Sequence, residues 1–281
     1  MVKQETNSPN IGFSEPGLLS PESKEEQKEL RIFLALDLDG TLYKGPGSWG
    51  EIFKALAGKG TSSPALPSEL PVTENSSQKR NIFEQAANKL VAWTHRIRRP
   101  TSGAGNALSA LREQEKTNHH SIQMAVVSGR KHSQMKDLTL TELERDSLLP
   151  FFEDGNSLHI NLKPEGMKSW EWKCVNLIEA LDNGHDMAIL FDNDPITAKN
   201  IALLAKEHNL PIYVFLHKGR TETHPALLKR IGLHFDRETS KCRDLPITLV
   251  GMDDISLRLE ELVSNQFSEA TTVEDGNTDL F

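Results

Sequence analysis

Four short polar stretches in this 281-residue chain carry residue types that could do chemistry together, and each follows an apolar run. Ile32 to Leu36 leads into Asp37-Leu38-Asp39-Gly40-Thr41, and Ile122 to Val127 into Ser128-Gly129-Arg130. Leu158 to Leu162 leads into Lys163-Pro164, and Met187 to Phe191 into Asp192-Asn193-Asp194-Pro195. Asp37 and Asp39 are two residues apart, so in extended backbone both side chains project from one face; Gly40 permits a turn directly afterwards. Three or four carboxylates in one crevice repel each other unless a cation neutralises them. Oxygen ligands without His or Cys suit Mg²⁺. The Ser128 hydroxyl, backed by the N–H groups of Gly129 and Arg130 at a helix start, would make an anion site. A lysine would add positive charge for a group in transfer. Carboxylate nucleophile, Mg²⁺, hydroxyl, amides and lysine together form the set that phosphoryl transfer uses.

These groups can meet only if the apolar runs lie side by side. A continuous apolar run reads as a strand buried on both faces, as in a parallel sheet. Strands are expected at 32–36, 122–127, 158–162, 187–191, 212–216 and 247–250. Helices are expected at 81–97, 103–115, within 133–148, at 169–181, from 195 to about 208, and from about 253 to 263. Strands alternating with helices predict an α/β domain, and in such sheets ligands sit beyond the carboxyl ends of the strands.

Residues 1–30 read as a flexible arm, 31–264 as the domain and 265–281 as a disordered acidic tail. Residues 44–100, rich at first in Gly, Ser and Pro, are too long for a simple connection and read as an insertion. The formal charge is −8, of which −3 falls in residues 1–30 and −4 in residues 265–281, leaving the middle nearly neutral. That balance excludes a broadly charge-driven nucleic-acid binder. The run His95-Arg96-Ile97-Arg98-Arg99 reads first as a cationic helix end complementing the dipole, and second as a contact for nucleic-acid phosphates. No 18-residue apolar run suggests a membrane span, and the N-terminus has no secretory apolar segment. Cys174 and Cys242 read as reduced thiols, so an intracellular, cytoplasmic protein is expected.

The motifs resemble those of the haloacid dehalogenase (HAD) superfamily over roughly residues 31–220. Asp37-Leu38-Asp39-Gly40-Thr41 is similar to that superfamily's first motif, DxDGT, and Val126-Val127-Ser128-Gly129-Arg130 to its second. Lys163 or Lys173 would be the third-motif lysine, and Asp192-Asn193-Asp194 stands where the acidic fourth motif falls, although the usual pattern there is GDxxxD or DD. Asp253-Asp254 is a weaker mimic of the same motif. The resemblance implies a three-layer Rossmann-like fold with a mostly parallel sheet and a small insertion after the first motif. It also implies an Mg²⁺-dependent phosphomonoester hydrolase. Asp37 would attack phosphorus to form an aspartyl-phosphate, and Asp39 would protonate the leaving group and then activate water. Thr41, Ser128 and Gly129 would bind phosphate oxygens. Mg²⁺ would be held by Asp37, the Asp39 carbonyl and Asp192, or by Asp194 with the roles exchanged.

Leu162-Lys163-Pro164, followed by Ser169 and Trp172-Lys173, more loosely resembles the HAD domain of "Swiss Army knife" RNA-repair proteins. This narrower likeness implies a polynucleotide end as substrate, rather than a phosphorylated small molecule. A third reading is a non-catalytic HAD-like binding module. Oligomeric state is not legible in the sequence.

Overall fold

The computed structural model describes residues 29–44, 98–118, 120–218 and 225–274. The chain order begins with β1 (Leu30–Leu36), β2 (Tyr43–Lys44), β3 (Arg99–Pro100), α1 (Ala104–Thr117), β4 (His120–Lys131) and α2 (His132–Arg145). It continues with β5 (Glu153–Asp154), β6 (Ser157–Leu158), β7 (Ile160–Lys163), α3 (Ser169–Asp182), β8 (Met187–Asp192) and α4 (Pro195–Glu207). The last elements are β9 (Ile212–His217), α5 (Pro225–Arg230), β10 (Ile247–Val250) and α6 (Ile255–Glu274).

Six strands form one sheet in the order β10-β9-β8-β1-β4-β7, and every neighbouring pair is parallel. The alternation of β1 sorts its residues between two cores. Ile32, Leu34 and Leu36 pack with Leu108 and Leu111 of α1, Leu143 of α2 and Leu259 of α6. Phe33 and Ala35 pack with Leu177 of α3 and Ile201 and Ala202 of α4. The result is three layers, helix on sheet on helix, the Rossmann-like α/β fold expected from the alternating runs. Each fully buried Leu, Ile or Phe contributes about 1.5–3 kcal/mol relative to exposure, so a strand with five buried residues in succession, as in β1, has its place fixed firmly.

The strand order creates the site. From β1 the chain proceeds outward on one side through β4 and β7, then jumps back to β8 and proceeds outward on the other. The reversal falls between β1 and β8, where Leu36 pairs with Phe191 and the following Asp37 amide donates to the Phe191 carbonyl at 3.0 Å. A crevice at such a switch point is where ligands bind in open α/β sheets.

Several boundaries differ from those the sequence suggests. β4 runs on to Lys131 and shifts register against β7 between Ser128 and Lys131. Bulges of this kind re-aim side chains beside sites. The expected strand at 158–162 is two elements: a β5–β6 hairpin turning at Gly155 (φ 56°) and the sheet strand β7. Arg99 starts β3, and residues 95–97 of the cationic run lie outside the described residues. The last helix continues to Glu274, ten residues beyond the expected domain limit at 264. No Gly or Pro interrupts it before Gly276, and Gln266 donates to the Tyr213 hydroxyl at 2.7 Å. Residues 1–28 of the expected arm at 1–30, the expected helix at 81–97 and residues 275–281 lie outside the described residues, as does the expected insertion apart from its ends. Those ends, Lys44 and Arg99, pair in the antiparallel β2–β3 ribbon.

Candidate active site

At the carboxyl ends of the strands lies an open cavity of about 480 Å³, within the range of small-ligand sites, lined by residues from three of the four stretches singled out above and from the helices beside them. β1 delivers Asp37 and Asp39, the β4 bulge delivers Ser128, Gly129 and Arg130, α3 delivers Ser169 and Lys173, and the β8–α4 junction delivers Asp192 through Pro195 and Thr197. Leu227 of α5 closes one wall.

Of the two candidate lysines, Lys173 is the one that lines the cavity. Its buried ammonium donates to Asp37 Oδ1 at 2.8 Å and to Asp192 Oδ2 at 2.6 Å, joining the ends of β1 and β8. Lys163 does not reach the cavity. Its Nζ donates to the carbonyls of Met167 (2.8 Å) and Pro164 (3.3 Å), tying down the loop that enters α3. The cause is helical geometry: four residues after Ser169, Lys173 lies one turn further along the same face of α3, and that face looks onto the ends of the central strands.

Gly129 allows this approach. A Cβ there would stand 2.5 Å from Ser169 Oγ, so the absent side chain lets the start of α3 close on the β4 bulge. Gly40 plays a similar part in the first motif. Its φ of 91° suits glycine, and a Cβ would collide with the Asn193 side chain. Asn193, buried beneath the crevice, also accepts the Thr41 hydroxyl at 3.5 Å.

Three expected ligand contacts are not met. Thr41 is fully buried off the cavity wall, its hydroxyl turned to Asn193 and its carbonyl accepting from Thr101 Oγ1 at 2.6 Å. The turn at Gly40 has rotated it inward. The Arg130 amide is not at a helix start, because the strand continues to Lys131, and it donates instead to Ser128 Oγ at 3.3 Å. Asp194 lines the cavity but caps α4, accepting from Ile196 N (3.1 Å) and Thr197 Oγ1 (2.8 Å). Asp192 keeps the inner position, with its Oδ1 accepting from Asp194 N at 2.9 Å.

The arginines were the residues that motif reading missed as side chains. Arg130 Nε and Nη2 donate to Asp39 Oδ2 (3.1 Å) and Oδ1 (2.7 Å), while Nη1 reaches Glu142 Oε2 (2.6 Å) and Thr139 Oγ1 (2.9 Å) on α2. Arg98, at the root of β3, ion-pairs with the same Asp39.

These surroundings push two neighbouring carboxyls in opposite directions. Burial raises Asp37, Lys173 opposes it, and Asp192 and Asp39 add repulsion, leaving its pKa pushed up to about 7. Burial would raise Asp39 as well, but Arg130 and then Arg98 outweigh it and hold the carboxyl well below its usual range. Lys173 is held above the ordinary lysine value: burial lowers it, and Asp192 and Asp37 more than compensate.

Among the described residues no group of three or more His, Cys, Asp and Glu forms a ready metal cage. The crevice offers two inward carboxylates, Asp37 and Asp192, bridged by one ammonium. This all-oxygen, two-carboxylate donor set fits Mg²⁺, which keeps several waters and takes one or two carboxylates. Among the described residues no helix is long and apolar enough to cross a membrane.

No protein-family model matches the sequence, and no curated protein does. Among solved structures, the chain is similar to a crystal structure of a HAD-superfamily hydrolase from Ehrlichia chaffeensis, with 12% identity and a TM-score of 0.35 over 71% of this chain and 97% of that one.

Proposed function

We propose that this protein is an Mg²⁺-dependent phosphomonoester hydrolase of HAD type, working through a phosphoryl group carried on Asp37. The observation that carries the reading is the buried Lys173 ammonium held between Asp37 and Asp192 in the lining of an open cavity. A lysine so placed keeps the nucleophilic carboxylate oriented and offers positive charge to phosphate oxygens as they arrive. Asp37, the Asp39 carbonyl and Asp192 would hold Mg²⁺, which when bound supplies charge neutralisation to the phosphoryl oxygens. Ser128 donates its hydroxyl to the phosphoryl group, and Lys173 stabilises the phospho-Asp37 that results.

Asp39 then has a narrower task than the motif alone implies. Clamped by two guanidiniums, it is a carboxylate at neutral pH. Being ionised, it is free to accept a proton from water in the second half-reaction and has none to donate in the first. Phosphate esters with acidic leaving groups, aryl phosphates among them, are accordingly the preferred substrates.

Full-length protein with Mg²⁺ should release phosphate from p-nitrophenyl phosphate, and Asp37→Asn should lower the rate by about 10³-fold or more, as loss of a nucleophile does. Equal rates in both proteins would exclude the mechanism. Including a 5′- or 3′-phosphorylated oligonucleotide beside sugar phosphates in the same assay compares the nucleic-acid reading with the small-molecule one. No turnover on any of them would favour the non-catalytic module.

A further inference from the structure

We propose that Arg130 is a positioning residue that aims Asp39 at the water which hydrolyses phospho-Asp37, with Glu142 and Thr139 of α2 as its anchor. This rests on the phosphatase reading above. The register shift between Ser128 and Lys131 turns the Arg130 side chain inward, where it is buried. Its outer edge grips both oxygens of Asp39, which fixes the plane of the carboxylate as a single donor could not. Its remaining nitrogen is held by Glu142, only 2% exposed, and by the fully buried Thr139. A guanidinium tied at both ends cannot swing away when substrate enters. Asp39 still presents 41% of its side chain, so it remains accessible from the cavity while held.

In the step so served, Asp39 takes a proton from water and the water oxygen bonds to phosphorus. The phosphorus–oxygen bond to Asp37 breaks, its electron pair returns to the Asp37 carboxylate, and inorganic phosphate leaves. The proton on Asp39 passes to solvent.

Removing the clamp should therefore slow the second half-reaction and spare the first. Arg130→Met alone would remove the arginine that pairs with the buried Glu142, so the informative variant is Arg130→Met with Glu142→Gln in the full-length chain, its fold checked by melting. Arg130→Lys, which keeps the buried charge pair, is the second variant. With p-nitrophenyl phosphate and Mg²⁺, both should retain a first-turnover burst of nitrophenol while steady-state kcat falls, by about 10²-fold in the double variant and less in Arg130→Lys. KM should fall in proportion, leaving kcat/KM unchanged, and phospho-Asp37 should accumulate. A fall in kcat/KM matching that in kcat, with no burst, would show a merely structural role and overturn the inference, as would unchanged kcat. Absence of Asp37-dependent turnover in the unsubstituted chain would overturn the phosphatase reading itself, and this inference with it.

Discussion

Two charge clusters lie side by side at the head of the sheet, and they are balanced differently. Among the described residues, the ion pairs around Asp39 join two carboxylates, Asp39 and Glu142, and two guanidiniums, Arg98 and Arg130. Around Asp37 there are two carboxylates, Asp37 and Asp192, and one ammonium, Lys173. The first cluster is neutralised by the protein itself. The second is one positive charge short, and Asp37 responds by rising to about 7 while Asp39, two residues away, is held low. Neighbouring carboxyls with opposite shifts mark a division of labour. On the proposed function, the cluster left incomplete is the one that a bound cation would complete.

The largest effects should come from removing the central cation of each cluster. Lys173→Met and Arg130→Met each leave buried carboxylates uncompensated, a loss of about 3–5 kcal/mol. The rescues should differ. Mg²⁺ should restore much of the melting temperature of Lys173→Met and little of Arg130→Met, which should instead recover when Glu142→Gln is added. Rescue of both variants by Mg²⁺ would break the distinction. Next in size, Mg²⁺ at a hundred times its Kd should stabilise the unsubstituted chain by about 2.7 kcal/mol, a rise of roughly 5–11 °C at this size. Asp192→Asn should abolish that rise.

A smaller effect concerns pH in the absence of divalent ions. Asp37 has a folded pKa near 7 against 3.8 unfolded, so the stability it lends is present below pH 4 and lost as pH rises through 7. Denaturant titrations without Mg²⁺ should thus find Asp37→Asn gaining on the unsubstituted chain between pH 5 and pH 6.5, by about 2 kcal/mol. A constant difference would deny the shift. The smallest effect belongs to Lys163→Met, which loses only hydrogen bonds to two loop carbonyls. It should cost about 1 kcal/mol by denaturant titration and leave kcat nearly unchanged, whereas a catalytic lysine would lose kcat by orders of magnitude.

Much of this was legible in the apolar runs. Five buried residues followed by Asp37 announce a central strand and its carboxyl end, and the alternation with helices announces the parallel sheet. What the sequence could not decide was reach. Lys163 follows its strand directly and Lys173 does not, yet helical periodicity on α3 brings the later one to the site. Asp192 and Asp194 are separated by whether the chain has turned into α4, where Asp194 becomes the cap. Thr41 matches the first motif by type but is carried inward by the turn at Gly40. The arginine clamp was the least legible part, because its members come from β3, β4 and α2. Its one local signal was Glu142, which shares the buried face of α2 with Thr139 and Leu143, where an unpaired carboxylate would not be tolerated.

The most direct test of the account is to find the phosphoryl group. Full-length protein mixed with p-nitrophenyl phosphate and Mg²⁺, quenched in acid within the first turnover and mapped by peptide mass spectrometry, should carry phosphate on Asp37 and none in Asp37→Asn. Phosphate release with the group on another residue, or with no covalent phosphoryl group in chains quenched during turnover, would contradict it.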